Sequence, residues 1–114
     1  MNLDLLHLVF IQECIQRIGE YVGGGEKAFL ASRLIQDGVL RNLQTLSEST
    51  QRLSDELKAQ HPNIDWRRLS GFRNILVHDY LGVDIPKCWG IVEDELPVLE
   101  REVAEMITKI ESGD

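Results

Sequence analysis

Residues 67–84 read RRLSGFRNILVHDYLGVD and place Arg73, Asn74, His78 and Tyr80 in one short apolar segment. An arginine presents a rigid fork of donors matched to a phosphate, and a histidine with a pKa near ~6.5 exchanges protons at neutral pH. Together they suit cleavage of a phosphodiester by an internal 2′-hydroxyl. His78 takes the hydroxyl proton or protonates the 5′ leaving oxygen, Arg73 stabilises the added charge of the phosphorane, and Asn74 fixes the imidazole. The expected substrate is RNA and not DNA, and the scheme needs no metal or other cofactor.

Such chemistry needs an element that holds these side chains. Asp65 can cap a helix running from Trp66 to about Tyr80, which GlyValAsp at 82–84 ends. At about 100° per residue, Asn74 lies about 40° from His78 and Tyr80 about 20° from Arg73, but His78 lies about 140° from Arg73. Either a distorted helix and long side chains bring Arg73 towards His78, or the same segment of a second subunit supplies the partner across a two-fold axis. Arg67 and Arg68 precede the segment and can add local positive charge for RNA. The plainer alternative is that these groups only make surface or interfacial hydrogen bonds.

Three other long elements surround this helix. Leu5, Leu8, Ile11, Ile15, Ile18 and Val22 recur at helical spacing until three glycines at 23–25. After a short segment near Glu26 to Leu30, a pattern through Leu34, Val39, Leu43, Leu46, Thr50, Leu53 and Leu57 predicts the longest helix, stopped by His61–Pro62. The last helix starts at an Asp84 cap with Pro86 just inside, and runs to about Glu111 with a kink expected at Pro97. No stretch alternates with period two. The expected fold is an all-α bundle of four main helices plus a short one, forming one domain over 1–114.

A chain that is 43% hydrophobic and 27% charged should fold, and its net charge of −7 argues against a generic nucleic-acid binder. Cys14 and Cys88 form no CxxC and read as reduced core thiols. The N-terminus lacks a signal-peptide pattern and no apolar run approaches membrane-spanning length, so a cytoplasmic protein with no membrane association is expected.

Other features read as structural. GGGEK at 23–27 lacks phosphate-loop spacing and reads as a linker; His7 and His61 have no partners at metal-ligand spacing; Trp66 and Trp89 read as core or interface anchors. The acidic runs at 93–95 and 100–102 form either a solvated face or a surface for a basic partner.

The Arg-x4-His-x-Tyr spacing of Arg73, His78 and Tyr80 within RNILVHDYLGVD resembles the signature of HepT-like toxins of the HEPN superfamily. DLLHLVFIQECIQRI, RNLQTLSESTQRLSDEL and VDIPKCWGIVEDELPVLEREV are similar to this family as well, so the resemblance spans nearly the whole chain. It implies the toxin of a type VII HEPN/MNT toxin–antitoxin system. It further implies a homodimeric helical bundle with paired Arg73 and His78 lining an interfacial cleft, metal-independent endoribonuclease activity, and a cognate minimal nucleotidyltransferase antitoxin that transfers AMP to Tyr80. A competing reading is a non-catalytic helical module that binds and assists a separate nucleotidyltransferase.

Overall fold

The computed structural model describes residues 2–113. Helix α1 (Leu3–Tyr21) is capped by Asn2, whose side chain accepts from the Leu5 amide at 3.1 Å. Three glycines end it, and Gly25, with φ +86°, makes the left-handed step into α2 (Gly25–Ala31). Ser32 caps α3 (Arg33–Gln51).

The expected long second helix is broken. It stops at Gln51, so α3 matches α1 in length at 19 residues rather than exceeding it, and α4 (Asp55–Ala59) starts afresh. The break is built by Ser54, which caps α4 by accepting from the Leu57 amide and donates its hydroxyl to Asp4 at 2.7 Å. Asp4 also takes the Ser54 amide at 2.9 Å. A serine followed by Asp55 and Glu56 is a strong helix start, because oxygen and negative charge satisfy the unpaired amides of a first turn.

Asp65 caps α5 (Trp66–His78) as expected, accepting from the Arg68 amide at 3.0 Å. The helix ends at His78, and Tyr80 begins a separate 3₁₀ turn (Tyr80–Gly82). Asp84 caps α6 (Ile85–Gly90), with Pro86 in its first turn. A π-helical turn (Ile91–Glu95) then leads into α7 (Leu96–Ser112). Pro97 stands in the first turn of α7, so the disturbance lies in the turn before it. A proline there has no N–H to give and its ring crowds the preceding turn, and a wider π turn absorbs both.

The bundle packs α1 against α3 and α7, and α3 against α5. Leu8, Ile11, Cys14, Val39, Leu43, Leu46, Leu69, Leu99 and Val103 are buried in one connected core. Full burial of each aliphatic side chain is worth about 1.5–3 kcal/mol. Both cysteines are free and buried, and Trp66 and Trp89 pack against this core. The described residues contain no strand, and none of their helices is long and apolar enough to cross a membrane.

Candidate functional site

The last two turns of α5 carry the candidate residues Arg73, Asn74 and His78. Leu69, Phe72 and Leu76 face the core, which turns the opposite side of the helix to solvent. His78, the last helical residue, is exposed and has no side-chain hydrogen bond among the described residues. Arg73 is partly buried: Nη1 donates to Asn74 Oδ1 at 3.2 Å, while Nε is buried without a hydrogen-bond partner among the described residues. Asn74 is thus bonded to the arginine, where the sequence had assigned it to the imidazole. Because α5 is regular through His78, the separation of about 140° between Arg73 and His78 stands within one chain.

Tyr80 departs from the helical register assumed for it. Asp79 leaves the helix with φ −146° and ψ 56°, and its amide still bonds Ile75 O at 2.8 Å. Gly82 closes the turn, and the exposed Asp79 carboxylate lies where a Cβ on Gly82 would stand. Tyr80 is carried to α3, where its hydroxyl donates to Asp37 Oδ1 at 3.3 Å, and Arg33 Nε lies 3.7 Å from the same oxygen. Burial first, and then the Asp37 carboxylate, push the Tyr80 phenol above its ordinary pKa of 10. Asp37 and Arg33 were not singled out in the sequence. Their i, i+4 spacing reads as a helix ion pair, and nothing local indicates that it faces a residue 43 positions away.

The flanking arginines divide. Arg67 is exposed and has no ion pair among the described residues, whereas Arg68 pairs with Glu95 and so braces α5 against the π turn. Of the acidic runs, Glu95 is thereby engaged internally, Glu93 accepts from Trp89 Nε1 at 3.3 Å, and Glu102 is buried beside His61 and Asn63. Among the described residues, no group of three or more His, Cys, Asp or Glu side chains stands close enough to hold a metal ion.

This all-helical bundle is of the HEPN type. The family described as Ribonuclease HepT-like matches residues 11–106, and the chain belongs to that family. Its relatives include a provisionally named RNase of Methanocaldococcus jannaschii, 32% identical over 66% of this chain and 69% of its own length. A provisionally named RNase of Caldanaerobacter subterraneus subsp. tengcongensis is 28% identical over 87% of this chain and 88% of its own. A protein of Thermococcus cleftensis named probable ribonuclease HepT is 33% identical over 63% of this chain and 66% of its own. No solved structure matches the chain significantly.

Proposed function

We propose that this protein is a metal-independent endoribonuclease that works as a homodimer and is silenced by AMP transfer to Tyr80 from a cognate minimal nucleotidyltransferase antitoxin. The observation that carries the reading is the state of Arg73: a guanidinium with a buried, unpartnered Nε on the helix that ends in an exposed His78. A buried donor without a partner costs roughly 1–3 kcal/mol, and a turn of the side chain towards a phosphate oxygen would relieve it. Family membership supplies the substrate class.

A second subunit answers the divergence of Arg73 and His78, since each face of α5 then meets its complement across a two-fold axis. Exposed Ile75, Val77 and Leu81 on the same segment support this, as apolar surface left for a neighbour. Arg67 adds positive charge on the approach to the cleft, with Arg68 contributing less because Glu95 neutralises it. In the silencing step the Tyr80 oxygen attacks the α-phosphorus of ATP, an O–P bond forms, pyrophosphate leaves, and the phenolic proton passes to Asp37. The added anion then obstructs and repels an RNA phosphate.

The test is cleavage of RNA by unmodified protein in excess EDTA, beside His78→Ala and Arg73→Ala. The wild type should leave 2′,3′-cyclic phosphate ends, and each variant should lose about 10²-fold or more in rate. A wild type as inert as both variants would favour the non-catalytic module. Intact mass after co-expression with the antitoxin should show an AMP adduct that Tyr80→Phe abolishes.

A further inference from the structure

A cleft beside Tyr80 has the chemistry of a nucleotide site. Tyr21 at the end of α1 and Leu34, Ile35, Asp37 and Gly38 on α3 enclose about 400 Å³, within the range of about 300–1,000 Å³ typical of small-ligand clefts. A Cβ on Gly38 would sit 3.1 Å from two carbons of the Tyr21 ring, so the glycine lets that ring form one wall. Leu34 stands 83% exposed at the cleft, apolar surface with nothing covering it in the free chain. The Asp37 carboxylate belongs at once to the cleft, to the hydrogen bond from Tyr80 and to the ion pair with Arg33. Aromatic wall, apolar lining, carboxylate acceptor and guanidinium are the groups that would recognise a base, an exocyclic amine and a phosphate.

We propose that this cleft seats the adenine of the AMP carried by Tyr80, an inference that rests on the modification argued above. Once the Tyr80 oxygen is esterified it has no proton to give, and Asp37 is released to accept the adenine amine. Arg33 turns to the new phosphodiester anion, which would otherwise face a carboxylate of like charge. The adduct is then a fixed obstacle on α3 rather than a group on a mobile tether.

The test uses protein labelled at Leu and Ile methyls, co-expressed with the nucleotidyltransferase, shown by intact mass to carry AMP, and compared by NMR with the unmodified chain. Leu34 and Ile35 methyls should shift and show NOEs to adenine ring protons. Phosphodiesterase should release AMP about tenfold faster from Leu34→Asp, the loss expected for a displaced base. In Tyr80→Phe, where Asp37 is free to accept, added AMP should shift the same methyls more than IMP, which carries an oxygen in place of the amine. Equal shifts overturn the Asp37 contact. AMP present by mass with Leu34 and Ile35 unchanged overturns the seat while the modification stands; no AMP on Tyr80 overturns both.

Discussion

Tyr80 donates to Asp37 Oδ1 at 3.3 Å, and this bond ties the turn after α5 to the first turns of α3. Burial and the carboxylate both favour the neutral phenol, so its pKa lies above 10 in the folded chain. The sign follows: the contribution to stability is complete below the unfolded pKa of about 10 and is lost as pH rises through the higher folded value. Asp37→Asn should lower the Tyr80 titration towards 10 without reaching it, because burial remains. Phenolate absorbance, taken as the difference between each protein and its Tyr80→Phe counterpart, measures this. A titration indifferent to Asp37→Asn would mean that the bond is not kept in solution.

Much of the bundle was legible because its signals are local. The Asp65 and Asp84 caps, the glycine stop after α1 and the apolar periodicity of α1 each need only a few neighbouring residues. The break before α4 was hidden because Leu53 and Leu57 keep helical spacing across it, while the residue that stabilises it, Asp4, lies 50 positions away. The Pro97 disturbance was anticipated, but its form as a π turn was not, since periodicity does not distinguish a kink from a widened turn. At the site, residue types and spacing pointed to Arg73 and His78. The end of α5 at His78 and the reach of Tyr80 to Asp37 depend on the backbone turn at Asp79 and on long-range packing, which spacing does not encode.

Leu81 tests the proposed dimer. It is 98% exposed, so Leu81→Glu should change the stability of the single chain by no more than about 0.5 kcal/mol. At a two-fold seam the same change buries a charge against apolar neighbours and their symmetry mates. Light scattering should therefore find a folded monomer, and RNA cleavage should fall with it. A Leu81→Glu protein that remains dimeric would remove the turn after α5 from the interface.

Glu102 anchors the loop that leads into α5. Its carboxylate lies 3.7 Å from His61 Nδ1 and accepts from Asn63 Nδ2 at 3.2 Å, with both His61 and Glu102 buried. Trp66 Nε1 completes the cluster by donating to the carbonyls of Lys58 and His61, each at 3.2 Å. Glu102→Ala takes the acceptor from Asn63 Nδ2 and leaves the buried His61 ring without its polar neighbour, at a cost of about 1–3 kcal/mol. Urea unfolding should show a lower midpoint with an unchanged slope. A midpoint within error of wild type would mean that this loop is held by the Trp66 bonds alone.

The two cysteines should be inert to thiol reagents until the bundle opens. Burial first, then the Asp84 carboxylate, push the Cys88 thiol up to about 12. Burial also raises Cys14, against the opposing pull of its Thr45 contact at 3.5 Å and of Arg17. Thiolate is the reactive form, and at neutral pH neither residue supplies it or reaches solvent. A maleimide should label neither thiol in the native protein and both in denaturant. Raising the pH towards ~10 should leave Cys88 protected, because its thiol is still protonated there. Rapid labelling of Cys88 in folded protein at neutral pH would show that α6 detaches from α2 and the π turn without global unfolding, since those are the elements that cover it.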